Sequence, residues 1–150
     1  MDERIKEHLK YLNKYYLLLM EARELPYGEF SKDPLYQAGA ERFLQLAIES
    51  CLNVGNRLLA IYQFSKPVVT PETYADIFKE MSRLGVVDHE FMQRLVAMAR
   101  FRNRLVHLYW DINQETVYEF LQNNLYDFKL FQERVVKFLI ENEITSDEDS

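Results

Sequence analysis

Asp33-Pro34-Leu35-Tyr36-Gln37-Ala38-Gly39-Ala40-Glu41-Arg42-Phe43-Leu44-Gln45-Leu46-Ala47-Ile48-Glu49-Ser50-Cys51-Leu52-Asn53-Val54-Gly55-Asn56-Arg57-Leu58-Leu59-Ala60-Ile61-Tyr62 is the stretch from which the fold follows. Asp33 can cap a helix, and Pro34 suits its first position, where the missing N–H costs nothing. Phe43, Leu44, Ala47, Ile48, Cys51, Leu52, Leu58, Leu59 and Tyr62 recur at helical spacing. The run reaches Phe64, and Pro67 closes it. Gly39 and Gly55 lie inside, each weakening the helix by roughly 1 kcal/mol against Ala, and close packing of another helix is the expected compensation. A long helix with so broad an apolar face must be covered by other helices.

The flanking sequence supplies them. Upstream, Ile5, Leu9, Leu12, Tyr16 and Leu19 stripe a helix from about Asp2 to Glu24, and Leu17, Leu18 and Met20 widen its face; Pro26 and Gly28 end it. Downstream, Thr70-Pro71-Glu72 predicts a helix over 71–84 with Gly85 as its stop. Asp88 caps a further helix carrying Phe91, Leu95, Met98, Ala99 and Leu105. Trp110-Asp111-Ile112-Asn113 breaks that pattern, and Asn113 caps a last helix striped by Val117, Leu121, Leu125, Phe128, Phe131, Val135 and Leu139. The fold class is therefore all-α: a single-domain bundle of about five helices over residues 1–144, with an acidic, frayed tail over 145–150. The 150 residues, 48% apolar, suffice for one core, and four Gly with four Pro are too few for the turns of an all-β fold.

Several function classes drop out. A formal net charge of −6 speaks against a broad duplex-binding surface, so any nucleic-acid contact must be a local patch. No run approaches the ~18 apolar residues of a membrane span, and Met1-Asp2-Glu3-Arg4 does not begin a signal peptide. A cytoplasmic protein without membrane contact is the expectation. Cys51, the single cysteine, sits in an apolar run where a buried thiol is the default. His8, His89 and His107 show no metal-ligand spacing, so neither a metal nor another cofactor is expected; Asp88-His89-Glu90 reads as a solvated helix start. The carboxylates are scattered along solvated faces, with no pair set for acid catalysis. Tyr11, Tyr15 and Tyr16 could stack bases, although core packing is the commoner use of tyrosines at this spacing.

What remains is the stretch 91–110, which holds Arg94, Arg100, Arg102 and Arg104 and no Asp or Glu, a local +4 in an acidic chain. Arginine suits bidentate contact with phosphate. At about 100° per residue, Arg102 and Tyr109 share a face, as do Asn103 and His107, while Arg102 and His107 lie roughly 140° apart. One helix cannot easily aim both at one atom; two copies facing across a two-fold axis can. Such a cleft suits RNA cleavage without a metal: an imidazole takes the proton of a 2′-hydroxyl, and an arginine stabilises the charge building on the phosphate. On spacing alone, a solvated arginine-rich helix with an incidental histidine stays open.

Arg102-Asn103-Arg104-Leu105-Val106-His107-Leu108-Tyr109 resembles the Arg-x4-His-x-Tyr pattern of the HepT-like toxins, helical ribonucleases of the HEPN superfamily, and Trp110-Asp111-Ile112 is similar to its continuation. Ala40 to Glu49 resembles that family's second helix. The resemblance implies an HEPN-like bundle and a homodimeric, metal-independent endoribonuclease with Arg102 and His107 as catalytic pair and Asn103 orienting them. Arg100 and Arg104 would then contact the RNA substrate. It also implies a toxin–antitoxin system in which an MntA-like nucleotidyltransferase antitoxin neutralises the toxin by AMPylation of Tyr109. The attached AMP would fill the cleft and repel RNA phosphate. One departure stands out: relatives carry an acidic residue about where Asn53 stands, with Arg57 nearby, which leaves open how the cleft's charge is balanced. The alternative from another functional class is a non-catalytic helical partner or substrate-presenting subunit of a small nucleotidyltransferase.

Overall fold

The structure is a computed structural model that describes residues 1–63, 69–107 and 112–149, with side chains up to residue 143. Seven helices stand among the described residues: α1 (Glu3–Arg23), α2 (Tyr27–Phe30), α3 (Pro34–Tyr62), α4 (Tyr74–Leu84), α5 (His89–His107), α6 (Gln114–Asn123) and α7 (Tyr126–Asp149). All described secondary structure is helical. The bundle is thus all-α as expected, but the count is seven rather than about five.

The two extra helices have local causes. Pro26 does not merely end α1, which stops at Arg23; it caps α2 in an extended conformation. That single turn exists to bury Phe30, whose ring lies 5.3 Å from that of Tyr118. The final segment is broken at Asn123-Asn124-Leu125, where two successive asparagines are poor helix formers. The break lets Phe120 stack on Phe101 at 4.9 Å and 9° while Leu125, Phe128 and Phe131 enter the core. Asn113 caps α6 by accepting from the Glu115 N–H. One start also moves: α4 begins at Tyr74, not near Pro71. Thr73 and Asp76 form a reciprocal capping box that satisfies the first free N–H groups, and Pro71 is left outside the helix. Asp33 with Pro34, Gly85 with φ 94°, and Asp88 accepting from the Phe91 N–H at 2.8 Å hold their expected places.

The long α3 is the axis of the bundle. α1 lies along it, α4 and α5 pair with each other and both touch it, and α6 and α7 close against α1. Ile5, Leu12 and Leu19 from α1 meet Leu44, Ile48 and Leu58 of α3, Phe78 and Met81 of α4 and Leu95 of α5 in one core, all fully buried. Cys51 is buried there too, and that burial pushes its thiol well above the usual range. The two α3 glycines part company. A Cβ at Gly55 would stand 2.6 Å from Cγ2 of Ile77 and 2.9 Å from Sδ of Met81, so glycine is what allows α4 to lie against α3. At Gly39 a Cβ would meet nothing within 4 Å, so the packing expected there is absent among the described residues. α6 fastens the far end of α1, with Gln122 Nε2 donating to the Arg23 carbonyl and Tyr118 Oη to that of Leu25, both at 2.9 Å.

Candidate active site

α5 carries its chemistry on two sides. Arg100, Asn103, Arg104 and His107 stand at i, i+3, i+4 and i+7 and form one outward stripe, with both arginines and the histidine exposed. Arg102 turns instead toward α3. Its Nε and Nη2 donate to Oε1 of Glu49 at 3.1 and 2.6 Å, and Nη1 donates to Oδ1 of Asn103 at 3.4 Å. The same Glu49 oxygen accepts from Gln45 Nε2 at 3.0 Å. The Arg102 side chain is 12% exposed and Glu49 29%, so the pair is sheltered on both sides. Sheltered pairs of this kind add little net stability, because desolvation offsets the attraction. What the pair does is fix direction. A guanidinium has five N–H groups in a rigid fork; three are engaged, and one each on Nη1 and Nη2 has no partner among the described residues.

Beside Arg102 opens a cleft of about 520 Å³. Asn103 and His107 form its α5 wall, Asn56 comes from α3, and Pro71, Glu72, Thr73, Tyr74 and Ile77 supply the wall before and along α4. Asn103 and His107 do face one space, as their spacing predicted, and Asn103 is the link between that space and Arg102. Arg102 itself is not part of that lining; it lies behind the wall, its Cζ 4.8 Å from the centroid of the Tyr74 ring. On the other side of Glu49 a smaller groove is lined by His8, Tyr11, Tyr15 and Asn53. There Tyr11 stacks on Tyr15 at 6.5 Å and Tyr15 on Phe43 at 6.2 Å; Tyr15 packs on the core while Tyr11 is largely exposed.

One question the sequence leaves open is answered and one expectation is narrowed. The carboxylate balancing Arg102 is Glu49, one turn before Asn53, and Arg57 is committed elsewhere, to Asp2 at 2.9 Å. The signal for Glu49 was present in the chain: it is the single charge between Phe43 and Leu52, a run otherwise apolar or neutral. The basic island is also smaller than its formal charge. Arg94 is paired with Asp127 and Glu90 and Arg102 with Glu49, leaving Arg100 and Arg104 without an ion pair among the described residues. Tyr109, expected to carry AMP, lies outside the described residues, as do Leu108, Trp110 and Asp111. Among the described residues no three His, Cys, Asp or Glu side chains gather as a metal site, and no helix is long and apolar enough to cross a membrane.

The described helices thus set an amide and an exposed imidazole along one cleft, with Arg102 held beside it. Residues 4–135 match the family described as Ribonuclease HepT-like, and the chain belongs to that family. It is 22% identical over 143 residues to the tRNA nuclease HepT of Aphanizomenon flos-aquae (strain 2012/KM1/D3), covering 95% of each chain. It is 25% identical over 104 residues to the mRNA nuclease HepT of Shewanella oneidensis, covering 69% of this chain and 75% of that one. Its fold matches, with a TM-score of 0.78 and 23% identity over 91% of this chain and 98% of the other, the tri-AMPylated Shewanella oneidensis HEPN toxin solved in complex with its MNT antitoxin.

Proposed function

We propose that this chain is the toxin of a toxin–antitoxin pair and a metal-independent endoribonuclease whose cleft is completed by a second copy. The observation that carries this reading is the hold on Arg102: Glu49 and Asn103 grip it and leave two N–H groups without a partner among the described residues, next to a cleft walled by Asn103 and His107.

The reaction follows from these groups. His107 takes the proton of a ribose 2′-hydroxyl; the freed oxygen attacks the adjacent phosphorus, and the P–O5′ bond breaks. Arg102 meets the charge that builds on the phosphate oxygens, where a preoriented guanidinium is worth most because it does not reorganise. The departing O5′ takes a proton, supplied by His107 of the partner subunit in a two-fold cleft. The products are a 2′,3′-cyclic phosphate and a 5′-hydroxyl. Asn103 orients Arg102 through its Oδ1. Arg100 and Arg104, exposed on the His107 face and without an ion pair among the described residues, hold the RNA backbone. Regulation rests on the relatives: an MntA-like nucleotidyltransferase adds AMP to Tyr109, two residues beyond His107 in the chain, and the added negative charge and bulk oppose RNA phosphate.

The test is cleavage of RNA by the purified protein in excess EDTA, with the termini identified. His107→Ala should abolish cleavage and growth inhibition while leaving the dimer and the helical content intact. If the wild-type protein leaves RNA uncut at every concentration, with Tyr109 shown unmodified by intact mass, the enzyme reading fails and the non-catalytic partner takes its place.

A further inference from the structure

We propose that Tyr74 is a positioning residue for Arg102, a role that rests on the ribonuclease reading above. Glu49 meets the guanidinium in its own plane, through Nε and Nη2. That contact stops the group from turning within the plane but leaves the plane free to tilt about the bond axis. The Tyr74 ring covers a face, with Cζ of Arg102 4.8 Å from its centroid. A cation above an aromatic face is held by the ring's quadrupole, and a guanidinium, weakly hydrated on its faces, gives up little water to be there. Carboxylate and ring therefore constrain different motions, and together they aim the free Nη edge.

The backbone explains why Tyr74 can be relied on. It is the first residue of α4, directly after the cap. Thr73 Oγ1 accepts from the Asp76 N–H at 3.2 Å, while Asp76 Oδ2 accepts from the N–H groups of Thr73 at 3.1 Å and Glu72 at 3.2 Å. One turn on, Ile77 is pressed against Gly55. Tyr74 thus sits between a closed capping box and a tight helix–helix contact. It is not itself a core residue, being 43% exposed. Its hydroxyl makes no hydrogen bond among the described residues, so the ring and not the phenol is the part in use.

The experiment is a kinetic comparison of Tyr74→Leu and Tyr74→Phe with the wild-type dimer, alone and in an Arg102→Ala background. Tyr74→Leu should lower kcat by roughly 5- to 30-fold with KM nearly unchanged. Tyr74→Phe should keep the wild-type rate, and Tyr74→Leu should add nothing once Arg102 is gone. NMR gives a readout that needs no activity: the Arg102 Nε–H resonance should lose its ring-current shift in Tyr74→Leu and keep it in Tyr74→Phe. A wild-type kcat in Tyr74→Leu overturns the proposal, as does a defect that Phe does not restore. So does a rise in KM at constant kcat, which means that RNA itself stacks on Tyr74. If no form of the protein cleaves RNA, the ribonuclease reading falls, and the resonance still reports whether the ring holds the guanidinium.

Discussion

Two arginine–carboxylate pairs join α3-centred packing in this molecule, and they are built to opposite ends. In the first, Asp2 spends both oxygens. Its Oδ1 accepts from the N–H groups of Arg4 at 3.0 Å and Ile5 at 3.1 Å, and the carboxylate as a whole takes Nε and Nη2 of Arg57 at 2.9 to 3.2 Å. The pair caps α1 and ties its start to α3 in one contact. In the second, Glu49 uses a single oxygen, and Arg102 keeps part of its fork unspent beside an open cleft. The Asp2 pair fastens a helix end to α3, whereas the Glu49 pair holds its arginine against the wall of a cleft. Ion pairing alone therefore does not mark a structural role. Both arginines keep N–H groups without a partner among the described residues, so the useful question is what lies beside them: for Arg102, a ring and an amide that wall a cleft.

The largest effect should come from swapping each arginine for lysine. Arg102→Lys keeps a positive charge but loses the planar fork, and cleavage should fall by ~100-fold or more, while Arg57→Lys should leave the cleavage rate within about two-fold of wild type. Equal losses in the two variants, measured by single-turnover cleavage, would erase the distinction. Next comes Glu49→Gln, which keeps shape and removes the charge that grips Arg102. Cleavage should drop by roughly ten-fold with KM little altered, since a charged hydrogen bond is exchanged for a neutral one. A rise in activity would mean instead that Glu49 restrains Arg102 from its task.

The smallest effect belongs to Asp2. Asp2→Ala removes a helix cap and a partly exposed ion pair, a loss of about 1–2 kcal/mol or a few degrees in Tm, with cleavage unaffected. Its pH dependence sharpens the assignment. The hydrogen bonds from Arg57, with the cap, hold the Asp2 carboxyl at about 2, below its ordinary 3.8. A depressed carboxyl stabilises the fold fully above its unfolded value and loses that contribution as pH falls through the folded one. The Tm gap between wild type and Asp2→Ala should be constant above about pH 4 and shrink as pH falls toward 2. A gap unchanged across that window would mean that the side chain works through packing and not through charge.

How much could be read in advance varied with the range of the interaction. Caps announced themselves because they are local: Asp33-Pro34, Asp88, Asn113 and Gly85 each satisfy or end a helix within four residues. The capping box at Thr73 was local as well, but Pro71 offered a competing start two residues earlier. Gly39 and Gly55 looked alike in the chain, and only the position of Ile77 and Met81 separates them. The α2 turn and the break at Asn124 were hidden for the same reason, since each depends on where a distant aromatic, Tyr118 or Phe101, finds its partner.

The site divides along the same line. The spacing of Arg100, Arg102, Asn103, Arg104 and His107 sorted them onto faces of one helix, because 3.6 residues per turn is a property of the backbone and not of its surroundings. By itself the sequence determined an all-helical chain, a local cluster of arginines with one imidazole, and membership of a ribonuclease-like pattern. Only the tertiary structure decided that Glu49 holds Arg102, that Arg57 belongs to Asp2, and that Tyr74 covers the guanidinium. Those partners lie 53, 55 and 28 residues apart in the chain. Periodicity says which way a side chain faces along its own helix, whereas the partner it meets is set by how the helices pack.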